Sequence, residues 1–436
     1  MKDDKSKKIL ILQKVLKLMA GLVLKKYNPK IVGITGSVGK TSAKEAIFIV
    51  LASKFRVRRN EKNYNNEIGL PLTIIGADSG ENSLWRWFLV FLKWLWIMLM
   101  PMEYPEILVL EMGADRPGDI RYLTSLIKSD AGVITEISSS HVEFFKDVEG
   151  VAKEKGVLVK ELGRKSLAIL NADNPYTFRM KDQAKGNVIT FGFSENADMR
   201  ATDISFSYAS NHDLRGLSFK LNYKGTTIPV RLNNVLARHQ IYSALAGAAV
   251  GVGFGINLVE AASALENFSL PCGRMNLIEG IGGAFIIDDT YNSSPAAILA
   301  ALETLGEIKA ARKIAVLGDM LELGAETEEK HRVAGKKFLE TGGDIFFAVG
   351  KRMRFAGKEL ERNNFPKGRI FYFSDPMEAG EKLKSIVRER DLVLVKGSQG
   401  MRMEKVVEEI MARPEKASEL LCRQSRNWKS IPFKSV

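Results

Sequence analysis

A lysine set directly after a glycine turn and before two hydroxyl residues is suited to one kind of chemistry, holding a nucleoside triphosphate by its phosphates. That arrangement occurs at Gly36-Ser37-Val38-Gly39-Lys40-Thr41-Ser42. An apolar, strand-like run from Lys30 to Ile34 enters the turn and a helix-like run from Ala43 to Leu51 leaves it. Backbone N–H groups and a helix N-terminus can therefore converge on phosphate oxygens, with Lys40 reaching the β- and γ-phosphates and the Thr41 hydroxyl on Mg2+. The spacing departs from the usual G-x-x-x-x-G-K-[ST] pattern, because Ile34 stands where the first glycine belongs. Glu111 ends a second strand-like run, Ile107 to Leu110, where a carboxylate can reach a metal beside the phosphates or make an ordinary structural salt bridge. His141 follows a third run, Gly132 to Ile137, after three serines; on its own it reads as a satisfied polar group or as a ligand.

Groups of this kind are carried by alternating strands and helices. The short apolar runs Ile31–Ile34, Ile107–Leu110, Gly132–Ile137 and Ser166–Leu170 are separated by helical stretches, the pattern of a mostly parallel sheet. Between about 197 and 234 the texture changes to strict alternation, as in Leu217-Ser-Phe-Lys-Leu-Asn-Tyr223, which predicts an antiparallel hairpin insert on the sheet's edge. An alanine-rich helix follows from His239 to Gly253. A second α/β unit starts near Pro271, with strands expected at Ala284–Ile287, Lys313–Leu317, Ile345–Val349, Ile370–Phe373 and Leu392–Val395. The expected fold is thus α/β: a P-loop ATPase-like central domain over 31–270, then a Rossmann-like domain over 271–412. A basic amphipathic helix (1–30) precedes them and a basic helix or tail (413–436) follows.

The net charge of +13 suggests nucleic acid until it is divided along the chain. Residues 1–30 hold nine Lys against two Asp, and residues 413–436 hold six basic against two acidic residues, which leaves only +2 for the 382 residues between. No basic face with interleaved aromatics marks the body, so nucleic acid is not an expected partner. Cys272 and Cys422 have neither zinc nor CxxC spacing and read as unpaired thiols of a reducing cytoplasm. The apolar run Ile9–Leu24 is interrupted by Lys14 and Lys17 and is followed by no small-residue cleavage site, unlike a secretory signal. Residues 84–100 hold four of the five tryptophans. Such a helix is about 25 Å long, short of a ~30 Å hydrocarbon core, and Arg86 and Lys93 would be costly inside it. Together with the Lys-rich N-terminus it reads either as a peripheral contact with an anionic membrane or as a pair of helices that cover the sheet.

Several motifs in order give the chain a family resemblance. Thr35-Gly-Ser-Val-Gly-Lys-Thr41, Leu110-Glu-Met-Gly-Ala-Asp115 with Pro117-Gly118, His141-Val-Glu-Phe-Phe145, Asn171-Ala-Asp-Asn174 and Pro271-Cys-Gly-Arg274 resemble the Mur ligases, ATP-dependent amide-forming enzymes. Asp288-Asp-Thr-Tyr-Asn292, Leu317-Gly-Asp-Met-Leu-Glu-Leu-Gly324 and Lys396-Gly-Ser398 continue the match, which covers roughly 31–410. Within the family, Asn63-Tyr-Asn-Asn-Glu-Ile-Gly-Leu-Pro71 and Glu111-Met-Gly-Ala are most similar to the ligases that join D-alanyl-D-alanine to a UDP-N-acetylmuramoyl-tripeptide.

The resemblance implies that a substrate carboxylate attacks the γ-phosphate of ATP to give an acyl phosphate, which an amine then converts to an amide. It implies Lys40 and Arg274 on phosphate charge, Thr41 and Glu111 on one Mg2+, and His141 with a carbamoylated Lys155 on a second. Gly36 to Ser42, Gln240, Arg274, Asp288, Asp289, Tyr291 and Asn292 would contact nucleotide; Asn63, Asn65, Asn66, Asp319, Lys396 and Ser398 would contact the other substrates. Without the resemblance Lys155 is an ordinary solvated lysine in a run with Lys153 and Lys160. The implied enzyme is a cytoplasmic monomer acting on small peptidoglycan precursors. A different acid and amine, as in folylpolyglutamate or cyanophycin ligases, is the nearest alternative, and a membrane-tethered ATP-binding scaffold that does not ligate is another.

Three departures stand against the family pattern. His239-Gln240-Ile-Tyr-Ser243 replaces His-Asn-x-x-Asn, and Glu136 stands where an Asn is common. About thirty residues precede the phosphate loop, fewer than a uridine-binding domain needs, so recognition of the uridine end is expected to be lost, rebuilt or supplied elsewhere.

Overall fold

Short apolar runs become strands here because they are buried on both faces. The computed structural model describes residues 2–61, 64–138, 145–209, 213–431 and 433. The chain forms two compact units: Met1–Ile204, Ser218–Arg231 and His239–Phe268 in the first, Ser205–Leu217, Leu232–Arg238 and Ser269–Val436 in the second. Six strands open the first sheet: β1 (Lys30–Thr35), β2 (Val57–Arg59), β3 (Ile107–Glu111), β4 (Ala131–Ile134), β5 (Leu167–Asn171) and β6 (Asn187–Gly192). They pair in parallel in the order β2-β3-β1-β4-β5-β6. Every residue of β3 and β4 is buried, as expected where helices cover both faces. Because β1 lies between β3 and β4, the chain reverses its direction of travel across the sheet at β1, and a crevice opens there at the carboxyl ends of the strands.

The alternating stretch supplies β7 (Met199–Tyr208), β8 (Leu214–Tyr223) and β9 (Thr226–Asn233), which extend the sheet to nine strands among the described residues. β8 and β9 are joined by Lys224 and Gly225, both at positive φ (47° and 78°), the conformation of a two-residue hairpin turn. The helix Ile241–Gly253 then packs on the helix Lys40–Ala52. A Cβ on Gly247 would stand 2.9 Å from the Ala46 carbonyl and one on Gly251 would stand 2.5 Å from the Val50 side chain. Contacts that advance by four residues in step on both helices mean that the two run parallel.

In the second unit β10 (Asn276–Glu279) pairs antiparallel with β11 (Phe285–Asp289). β12 (Arg312–Gly318), β13 (Ile345–Val349), β14 (Ile370–Phe373) and β15 (Asp391–Lys396) complete a sheet in the order β10-β11-β15-β12-β13-β14, parallel apart from its first pair. Alternate residues of β12 feed different cores: Ala315 and Leu317 pack with Phe338 and Phe346, whereas Ile314 and Val316 pack with Phe347 and Val393. The stretch after Pro414 is held down by charge. The buried Glu404 carboxylate takes Arg402 Nε at 2.5 Å and Arg423 Nη1 at 3.0 Å, and Arg402 Nη1 donates on to the Trp428 carbonyl at 2.8 Å.

Candidate active site

The turn after β1 is shaped to bind an anion. Gly36 has φ 152°, and a Cβ there would lie 2.0 Å from Thr135 Oγ1, so only glycine fits. Gly39 is left-handed (φ 82°) and starts the helix Lys40–Ala52 with no side-chain cap and no acidic residue in its first turn. Its first N–H groups and positive dipole end are therefore available to phosphate oxygens. The loop is braced from below: Ser37 N–H donates to the Glu136 carbonyl (2.6 Å) and Thr135 Oγ1 to the Val38 carbonyl (2.6 Å). Lys40 Nζ folds back onto the Gly36 and Ser37 carbonyls, at 2.9 and 3.2 Å.

Strand register sets the neighbours of this loop. Ile34 is opposite Glu111 on β3 and Thr35 opposite Ile134 on β4, so the phosphate loop and Glu111 share one sheet edge. Glu111 is fixed by Asn60, whose Oδ1 accepts the Glu111 N–H at 2.9 Å while its Nδ2 donates to the Glu111 carbonyl at 3.2 Å. Asn60 is fully buried and takes Lys44 Nζ on its own carbonyl at 2.8 Å. Asn65 Nδ2 reaches Glu111 Oε1 at 3.4 Å, and Asn66 Oδ1 accepts the N–H groups of Ile68 and Gly69 ahead of the helix Gly69–Ile75.

Lys155 ends the helix Val148–Lys155 and is buried, not solvated. Burial, and then the Lys40 cation, push its ammonium down to about 8, against the pull of Glu154, Asp115 and Asp119. The phosphate-loop lysine is thus one of the charges that act on Lys155. Its neighbour Glu154 accepts Gly118 N–H and Ile120 N–H at 2.9 and 2.8 Å, which ties this helix to the start of Asp119–Leu126. Burial also raises Glu136 above the usual carboxylate range. His141 and Asn63 lie outside the described residues.

Gln240 immediately precedes the helix Ile241–Gly253, which runs parallel to the phosphate-loop helix, so it stands at the same end as Lys40. It is buried, with Nε2 3.0 Å from His239 Nε2 and Oε1 3.5 Å from the Ser243 hydroxyl. The next residue but one, Tyr242, donates to Asp173 at 2.8 Å, and Asp173 also accepts Phe193 and Ser194 N–H; these bonds hold the carboxyl below its ordinary range although burial opposes them. The tie links Asn171–Asn174, at the end of β5, to this helix.

In the second unit the expected residues gather at the carboxyl ends of β11, β12 and β15, where Asp289 is opposite Lys396 and Lys396 opposite Leu317. Lys396 is buried, pairs with Asp289 at 2.6 Å and donates to the Asn292 carbonyl at 2.9 Å. Ser398 Oγ accepts Leu321 N–H (2.9 Å), and Asp319 Oδ1 accepts Met353 N–H (2.7 Å). Asp288 is wholly buried, which pushes its carboxyl up to about 7 although Thr290 donates to Oδ1 from both hydroxyl and N–H. Arg274 lies 4.4 Å over the Tyr291 ring. Arg423 donates to the Thr290 and Tyr291 carbonyls and so fixes the loop from behind.

Hard oxygen donors suit Mg2+, which keeps waters and phosphate oxygens in its shell and needs few protein ligands. The Thr41 hydroxyl and the Glu111 carboxylate fit that demand, and among the described residues no cluster of three His, Cys, Asp or Glu side chains offers a tighter cage.

Known proteins share this architecture. The Mur ligase middle domain matches residues 95–251, and the Mur ligase glutamate ligase domain matches residues 273–399. UDP-N-acetylmuramoyl-tripeptide–D-alanyl-D-alanine ligase of Bacillus subtilis (strain 168) is 31% identical over 406 residues, 92% of this chain and 79% of the relative. The Escherichia coli (strain K12) protein of the same name is 30% identical over 89% of this chain and 78% of its own length. Among solved structures, MurF ligase from Thermotoga maritima in complex with ADP matches with a TM-score of 0.70 at 27% identity, covering 93% of this chain and 84% of that one. With two such relatives at 30% identity or more and both domain patterns in order along it, the chain belongs to the Mur ligase family.

Proposed function

We propose that the chain is an ATP-dependent ligase that adds D-alanyl-D-alanine to a UDP-N-acetylmuramoyl-tripeptide acceptor. The observation that carries this reading is the first-unit edge, where an uncapped helix N-terminus and Lys40 stand beside Glu111 and within the field of Lys155. The acceptor carboxylate attacks the γ-phosphorus, giving an acyl phosphate and ADP. The dipeptide amine then attacks the acyl carbon, so that a C–N bond forms, the C–O bond to phosphate breaks, and phosphate and a proton leave.

Phosphoryl transfer asks mainly for positioning and charge neutralisation. Gly36 to Ser42 cradle the phosphates, and Lys40 moves from the Gly36 and Ser37 carbonyls onto phosphate oxygens. Arg274, held on Tyr291, also neutralises phosphate charge, and we assign Gln240, Asp288, Asp289, Tyr291 and Asn292 to the nucleotide. Thr41 and Glu111 would hold one Mg2+, and His141 with carbamoylated Lys155 a second; bound there, the metals would neutralise oxygen charge as it develops. The low ammonium pKa of Lys155 supports the carbamate, because only the neutral amine adds to CO2. Asn63, Asn65, Asn66, Asp319, Lys396 and Ser398 are assigned to the acceptor and the dipeptide. We read the protein as a cytoplasmic monomer in peripheral contact with the inner face of the membrane.

The test is phosphate release from MgATP with a UDP-muramoyl-tripeptide, with and without D-alanyl-D-alanine, followed by product mass. Release that needs both substrates, with a product heavier by the dipeptide, is the expected result. Release with the acid alone, or no added mass, would overturn the substrate assignment.

A further inference from the structure

Two helices of the first unit carry large apolar side chains on the side away from the core, the reverse of how a soluble helix is patterned. The helix Leu84–Leu99 buries Val90 and Ile97. On its other side Leu84 (88% exposed), Trp85 (67%), Trp96 (59%) and Leu99 (70%) face outward together with Phe88 and Leu92. At 100° per residue these six fall in one arc, with Val90 and Ile97 opposite and Arg86 and Lys93 outside it. The helix Lys2–Tyr27 behaves alike. Leu16, Met19, Ala20 and Val23 enter the core, while Ile11, Val15, Leu18 and Leu22 recur at spacings of three and four on an exposed stripe, with Lys14 and Lys25 alongside.

The two helices are tied together. Trp94 Nε1 donates to the Met19 carbonyl at 3.0 Å, Tyr27 Oη to the Ile97 carbonyl at 2.8 Å, and Lys26 Nζ to the Ile97 and Met98 carbonyls at 2.8 and 3.0 Å. Both apolar faces therefore belong to one element of the fold.

We infer that this pair lies in the headgroup region of an anionic bilayer, with the Leu84–Leu99 axis in the plane of the surface. The inference deepens the peripheral membrane contact proposed above and rests on it, but not on the ligase reaction. Among the described residues no helix is long and apolar enough to cross a membrane. Sixteen residues give about 24 Å, and on the companion helix Lys14 and Lys25 stand beside the exposed apolar stripe, as an in-plane helix requires. Tryptophan favours the boundary between hydrocarbon and water. The choice of a lipid surface over a protein partner comes from charge: residues 1–30 carry nine Lys and two Asp, an excess that an anionic leaflet attracts.

The full chain is tested with vesicles of phosphatidylglycerol and phosphatidylcholine, and with phosphatidylcholine alone, by flotation at low salt and by tryptophan emission. Four of the five tryptophans sit on Leu84–Leu99, so the emission reports that helix directly. The protein should float with the anionic vesicles and its emission should move to shorter wavelength. Salt should weaken binding, and neutral vesicles should bind on the order of tenfold less. Trp85→Ser with Trp96→Ser and Leu99→Ser should lower affinity at least about tenfold, and Lys14→Gln with Lys25→Gln by roughly tenfold. Phosphate release with soluble substrates should be unchanged in both variants, which separates this inference from the ligase reading. Failure to float at low salt, or equal binding to neutral vesicles, would overturn it. So would a concentration-dependent dimer whose emission shifts without vesicles, since a second copy would then cover the face.

Discussion

Lys155 is the residue whose environment makes the strongest demand. It is 3% exposed, and burial together with the Lys40 cation moves its ammonium from 10.5 to about 8. At pH 7.5 about a quarter of the amine is then neutral, against about one part in a thousand for an ordinary lysine. Addition of that amine to CO2 forms a C–N bond, releases one proton and exchanges a buried cation for an anionic oxygen donor. Before it reacts, the cation costs the folded state about 3 kcal/mol. The sign follows from proton counts: between pH 8 and 10.5 the unfolded chain keeps a proton that the folded chain has shed, so stability rises with pH there, and below 8 the whole cost remains. Lys155→Met, studied by calorimetry in chelator without nucleotide or CO2, should therefore unfold several degrees higher than the parent at pH 7, with the gain gone by about pH 10.5. The same variant should lose at least about a hundredfold in turnover. Stripping CO2 should slow the parent, bicarbonate should restore it, and 13C-bicarbonate should give a carbamate resonance absent from the variant. Turnover within a factor of about ten of the parent, or indifference to CO2 with no stability gain, would refute the reasoning.

How much of this was legible in sequence depended on how local each demand is. The strands β11, β12, β13 and β15 stood out because burial on both faces writes a continuous apolar run, and the edge strand β14 because all four of its residues are apolar or aromatic although only Ile370 is buried. β2 did not, since Val57-Arg-Arg59 offers one apolar residue and Arg59 is held by Glu45 and by the Phe48 ring. The run from Gly132 suggested a strand to Ile137, but β4 ends at Ile134 because Thr135 and Glu136 turn under the phosphate loop. The loop itself was legible, as its glycines and lysine are adjacent in the chain. Asn60 was not: it brackets Glu111 from fifty-one residues away, and nothing near it announces that role. Glu154 sits in a charged stretch that reads as surface, yet it caps a helix and is buried. Long-range polar bracing leaves no period in the sequence, and it is the kind of contact that fixes Glu111, Lys155 and the Asp288–Asn292 loop.

Gly36→Ala must displace Thr135 and the Glu136 backbone, at 2.0 and 3.1 Å from the new Cβ, so the fold should lose about 1–3 kcal/mol and the KM for ATP should rise at least about tenfold; an unchanged KM in the folded variant would show that the loop does not bind phosphate. Asn60→Ala leaves the N–H and C=O of Glu111 without their partner and should cost about 2–4 kcal/mol in urea unfolding, with more Mg2+ needed for half-maximal rate. Asp288→Asn tests the second unit. Because burial raises this carboxyl to about 7, the folded chain keeps a proton that the unfolded chain loses near pH 4, so stability falls as pH climbs from 4 to 7 and the deficit persists above. The neutral amide removes a deficit of up to about 4 kcal/mol, so the variant should melt higher than the parent at pH 8 and nearly equally at pH 4.5. Asp288 Oδ2 has no hydrogen-bond partner among the described residues, and the cost of that orphan is offset if the nucleotide supplies one. ATP should then stabilise the parent more than the variant at pH 8, and equal ATP-induced shifts in melting temperature would remove Asp288 from the nucleotide site.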